Sequence, residues 1–263
     1  MTVSASSLIG YGLADNKALA TLPISFHLLG TMLAGIPASL LMKRVGRRYG
    51  FMIGTGIGVS GAAAATLAII YSNFIFFCLS IFLLGLLSGF SQLYRFAAAE
   101  VASTELRAKA VSWVMLGGII AGFIGPTIAV KAKDLIADAP FAGSYLVVII
   151  LHVVIVAILF IIRLPQPTVE EQTGESRPWR EIFSQPKFIV AVLTSMVGYG
   201  VMAMIMTATP LAMTVGSGHH FSDAAFVIQW HVVGMFAPSF FTGSLIHRFG
   251  AVPVIISGIL LNL

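Results

Sequence analysis

Ser39-Leu-Leu-Met-Lys43-Arg44-Val45-Gly46-Arg47-Arg48 decides the fold of this chain. Lys43, Arg44, Arg47 and Arg48 crowd around a single glycine. On either side the sequence turns apolar, over 21–42 and 49–71, with no Lys, Arg, Asp or Glu in either stretch. A helix needs about 20 predominantly apolar residues to cross the hydrocarbon of a bilayer. The basic knot therefore reads as a tight turn between two membrane crossings.

Working outward, five more stretches qualify: 74–94, 110–130, 143–162, 188–213 and 225–246. A last one, 250–263, is apolar but too short to cross. Composition agrees, with 58% hydrophobic residues and a mean hydropathy of +0.97. The 263 residues hold 15 basic and 10 acidic ones, whereas an ordinary soluble chain of this length would carry roughly 65 charged residues. They cannot cover a water-facing surface. A single cysteine, Cys78, excludes a disulfide scaffold, and no Cys/His cluster implies a metal. The net charge of +5 does not indicate nucleic acid in so apolar a chain; it sets orientation instead. Residues 1–17 are short, polar and interrupted by Asp15 and Lys17, without the pattern of a signal peptide.

The connections sort by charge. The side of the 42–49 turn holds Lys43, Arg44, Arg47, Arg48, Arg107, Lys109, Arg163, Arg177, Arg180, Lys187 and Arg248, against Lys17, Lys131 and Lys133 opposite. Such a bias marks the basic side as cytoplasmic. The expected organisation is a helix group over 1–164, a polar cytoplasmic linker over 165–187 rich in Pro and Glu, and the start of a second group over 188–263. A multi-pass protein of a bacterial inner membrane is implied.

The chain also repeats itself. Lys43-Arg44-Val45-Gly46-Arg47 returns as His247-Arg248-Phe249-Gly250-Ala251, 204 residues later, and the same offset carries 21–42 onto 225–246. Parallel repeats of this kind relate the halves of one large class of membrane proteins.

The quoted loop resembles the G-x-x-x-D-R-x-G-R-R loop between the second and third helices of the major facilitator superfamily. The stretch Ala-Ala-Ala-Glu100-Val-Ala-Ser-Thr-Glu105-Leu-Arg107 is similar to that family's connection after helix four, and Gly125-Pro126 matches the Gly-Pro of its antiporter motif in helix five. The resemblance implies an all-α polytopic membrane protein with a partial major facilitator fold, built from two pseudo-symmetric helix groups. By the repeat, the first family helix would begin before Met1 and the chain would stop inside the ninth, a truncation at both ends.

The resemblance further implies a cytoplasmic gating loop of Arg44, Gly46, Arg47, Arg48, Glu100, Arg107 and Arg248, in which arginines and an acid form a latch that breaks on switching. A partly buried ion pair suits that role because its strength depends on geometry and solvent exclusion; the bland alternative is that these cations only orient the chain. Lys43 stands where the family has aspartate, so part of the network is rewired. Gly125 and Pro126 fit a helix-packing motif, since small residues let backbones approach.

Polar residues inside spans are costly and face a cavity or a partner helix. Family geometry favours Gln92, Arg95, Tyr199, Gln229 and His231 as cavity residues, with Gln229 preferred over His231, while His152 reads as packing and His27 as lying near the outer mouth. For each, an interhelical hydrogen bond is the plainer reading. No complete span holds an acid, so the coupling ion stays open. The expected function is secondary transport of a small organic solute by alternating access, with efflux antiport one form of it. A non-transporting remnant is the alternative. An intramembrane enzyme would need a nucleophile–base pair or an H-E-x-x-H motif, and neither is present in the sequence. Membrane lipid and a small-molecule substrate are the expected partners; no cofactor is implied.

Overall fold

A computed structural model describes residues 2–103, 106–162, 164 and 178–261. Glu105, Arg163, Arg177 and the rest of 165–177 lie outside the described residues, as does the side chain of His247. The described elements are helical: α1 (Thr2–Leu13), α2 (Leu22–Val45), α3 (Arg47–Ile70), α4 (Phe74–Ser91), α5 (Tyr94–Val101), α6 (Arg107–Ala132), α7 (Ala142–Ile161), α8 (Trp179–Phe183), α9 (Pro186–Leu211), α10 (Phe221–Phe236), α11 (Ser239–Phe249) and α12 (Ala251–Leu261). Helices satisfy their own backbone, which is what the hydrocarbon demands. Among the described residues seven helical segments are long and apolar enough to cross, and they coincide with the seven stretches read from sequence. The segment Ala251–Leu261 is shorter.

Two of the seven crossings are interrupted part-way, between two α-helices. The third bends through Gln92 and Leu93 between α4 and α5, and the seventh breaks at Ala237-Pro238 between α10 and α11. Proline at 238 removes a backbone donor and crowds the preceding turn. Apolar run length senses neither break.

Gly46 ends α2 at φ 86, ψ 160, its N–H bonded to the Met42 carbonyl at 2.9 Å. Gly250 ends α11 at φ 84, ψ 162, its N–H bonded to the Ile246 carbonyl at 2.9 Å. A positive φ of this size favours glycine. The 204-residue repeat thus extends from sequence to backbone dihedrals.

The tightest part of the bundle is α4 against α2 and α3, with α7 also packed on α3. Small residues make this approach possible. A Cβ on Gly89 would stand 2.8 Å from the Thr31 carbonyl, and one on Gly54 2.6 Å from the Phe90 ring. Buried Ala62, Ala65, Phe77, Ile81 and Tyr145 fill the core between α3, α4 and α7, joined by Ala5 and Ile9 of α1. Within it the Ser6 and Tyr145 hydroxyls are hydrogen-bonded at 3.1 Å. The polar opening segment is therefore a packed helix over Thr2–Leu13, closed at its end by Lys17 Nζ, which donates to the Tyr11 and Ala14 carbonyls.

Candidate functional site

At the basic end of the bundle, α3 begins directly after the Gly46 turn, which sets Arg47 opposite the end of α5. Arg47 Nε donates to Glu100 Oε2 at 2.8 Å and Nη2 donates to Oε1, a bidentate ion pair between α3 and α5. Its side chains are 23% and 57% exposed, so water reaches the acid. Arg48 turns elsewhere. Its Nε donates to the Leu159 carbonyl at 2.8 Å and its Nη2 to that of Phe160 at 2.5 Å. These are the unpaired carbonyls at the end of α7, where a cation is favourable. Arg44 and Arg107 are exposed, and the Arg248 guanidinium lies 5.2 Å from the Phe249 ring centroid. Of the gating residues expected from sequence, the structure joins Arg47 to Glu100 and sends Arg48 to a backbone partner.

Among the described residues no hydrogen bond links any two of the five cavity candidates. Gln92 and Arg95 are exposed at the α4–α5 bend, Arg95 with its guanidinium 5.1 Å from the Phe96 ring centroid. Tyr199 is half exposed on α9. Gln229 and His231 are half-buried on α10, and His231 Nε2 is covered without a hydrogen-bond partner.

His27 packs against α4: its Nε2 lies 3.3 Å from Ser88 Oγ, and its backbone closes on Gly85. Ser88 Oγ also lies 3.1 Å from the Leu84 carbonyl, so its hydroxyl has two neighbours within reach. His27 Nδ1 is covered without a hydrogen-bond partner. His152 Nδ1 lies 2.6 Å from the Val148 carbonyl of its own helix, as a packing residue would.

Sequence reading missed the contact between α6 and α10. A Cβ on Gly118 would stand 2.9 Å from the Phe236 ring, and one on Gly122 2.8 Å from Val232 Cγ1. Phe123 and Trp230 meet edge to face at 5.8 Å, and Phe141 and Phe221 at 5.0 Å. Pro126 is buried one turn beyond Gly122, and Gly125 is half-buried beside it. The signal was present as Gly118-Ile-Ile-Ala-Gly122, a small-x-x-x-small pattern.

Seven membrane-length helices, a glycine turn repeated 204 residues on, and an arginine–carboxylate clasp beside that turn define an integral, multi-pass membrane protein with a partial major facilitator fold. The chain matches the Major Facilitator Superfamily over residues 1–263 and belongs to that superfamily of transporters. It is 40% identical over 99% of its length to the riboflavin transporter of Brucella anthropi, covering 66% of that protein. Two uncharacterised transporters of the same type from Bacillus subtilis are 27% and 23% identical over 97% and 94% of this chain, which covers 62% and 60% of them. The chain thus spans a little under two thirds of the length of these relatives. No solved structure matches it. The superfamily and these relatives place the protein among multi-pass transporters of the bacterial plasma membrane.

Proposed function

We propose that this chain forms the greater part of a secondary carrier that moves a flavin, of which riboflavin is the first to test, by alternating access between two helix groups, 1–164 and 188–263. The observation that carries the solute is the 40% identity to a riboflavin transporter, sustained over 99% of the chain. A pair such as Arg47–Glu100 is suited to a latch at the cytoplasmic end, because it is strong enough to bias two arrangements and weak enough to part. Gln229 first, and then Gln92, Arg95, Tyr199 and His231, are the proposed solute contacts. Lys43 in place of the family aspartate leaves the latch with one carboxylate at this position.

The test is uptake of labelled riboflavin into a riboflavin-auxotrophic bacterium expressing the complete carrier. Accumulation above an empty-vector control supports the reading. Absence of both uptake and efflux from preloaded vesicles would remove the flavin assignment, leaving membership of the superfamily untouched.

A further inference from the structure

At the end of the bundle away from the Arg47–Glu100 pair, a groove of about 480 Å³ opens between α6 and α7. Phe123, Ile124, Thr127, Ile128, Lys131 and Ala132 line it along α6, Leu135 just beyond that helix, and Val147 from α7. The Thr127 hydroxyl is bonded to the Phe123 carbonyl at 2.8 Å, so even this residue turns little polarity into the groove. From Phe123 to Lys131 the helix rises about 12 Å, close to the ~15 Å depth of the hydrocarbon in one leaflet. A largely apolar groove of this length with one ammonium group in its wall can take an acyl chain with the phosphate on that ammonium.

The charges around it narrow the choice of lipid. Lys131 is exposed, whereas Lys133 lies 5.6 Å from the Phe141 ring centroid. Immediately beyond stand Asp134 and Asp138, both exposed. A headgroup carrying only negative charge would meet these carboxylates as well as the lysine. A headgroup with both a phosphate and an ammonium complements both signs.

We propose that this groove binds a zwitterionic aminophospholipid of the phosphatidylethanolamine class. Its phosphate lies on Lys131, its ammonium toward Asp134, and one acyl chain along the α6 wall. Such a lipid would also bear on the contact between α6 and α10, because Phe123 lines the groove and packs edge to face on Trp230.

Native mass spectrometry of the complete carrier, released from micelles doped with phosphatidylethanolamine or phosphatidylglycerol, tests this directly. Phosphatidylethanolamine should be retained at one copy and in preference to phosphatidylglycerol. Lys131→Ala should lower its occupancy several-fold, and Lys133→Ala should not. Asp134→Asn, a surface change that leaves the packing alone, should shift the preference toward phosphatidylglycerol. Val147→Trp, which fills the groove without altering charge, should exclude the lipid. Equal retention by wild type, Lys131→Ala and Val147→Trp would overturn the proposal, as would phosphatidylglycerol held as tightly as phosphatidylethanolamine by the wild type.

Discussion

Glu100 is 57% exposed, and that exposure sets what its pair with Arg47 can do. Ion pairs open to water contribute at most about 1 kcal/mol, too little to hold a fold yet enough to shift a two-state equilibrium about fivefold. Glu100→Gln should therefore slow initial transport by the complete carrier several-fold while insertion and thermal stability stay unchanged. Arg47→Lys should behave similarly, since an ammonium cannot reproduce the bidentate fork. Unaltered rates in both variants would leave these residues only the task of orienting the chain. Arg48 belongs to a different category. Its donors close the end of α7, so Arg48→Ala should lower stability by about 1 kcal/mol, read as a fall in thermal midpoint. A fall no larger than that of Arg44→Ala would count against the cap. The motif spacing made an arginine–Glu100 pair legible, but not which arginine. Backbone carbonyls such as those of Leu159 and Phe160 carry no mark in a sequence.

At the scale of the helix, apolar run length located all seven crossings because the bilayer sets a length that composition must meet. What composition does not encode is continuity. The bend at Gln92-Leu93 has no proline to announce it, and Pro37 and Pro126 lie inside helices that continue past them, unlike Pro238. Nor does the position of a polar residue in its apolar run name its partner: packing sets His27 beside Ser88. The contact between α6 and α10 shows how a pattern becomes meaningful only with its partner known. Gly117 and Gly118 are neighbours in sequence, but a Cβ on Gly117 meets nothing within 4 Å, whereas one on Gly118 meets the Phe236 ring. Gly122→Val should cost about 1–3 kcal/mol through overpacking against Val232 and should slow transport with it. Gly117→Val should do neither beyond its small effect on helix propensity. Thermal unfolding and initial uptake rates of the two variants decide the matter, and equal losses would mean that α6 and α10 do not meet as described.

Across the whole molecule, charge bias and the internal repeat constrain topology independently. The bias places the turns at Gly46 and Gly250 on the basic side. The repeat requires the same by a different route, because two parallel copies of one unit must present equivalent turns to one face. Between Gly46 and Gly250 the chain makes six crossings, and an even number returns it to the side it left. If one of the six were only an interfacial helix, the count would become odd and the two turns would face opposite compartments. The seventh crossing, broken at Pro238, does most to make this a real question. Cys78 is buried in α4, so Cys78→Ala supplies a cysteine-free background at small cost. In it, Arg44→Cys, Arg180→Cys and Arg248→Cys should all be shielded from an impermeant maleimide added to intact cells, and all should react after permeabilisation. Ser72→Cys, in the short connection before α4, should react without permeabilisation. Labelling of Arg248→Cys from outside, with Arg44→Cys still shielded, would break the parallel repeat. Labelling of Arg180→Cys from outside, with Arg44→Cys still shielded, would instead make the number of crossings between Gly46 and Arg180 odd rather than four.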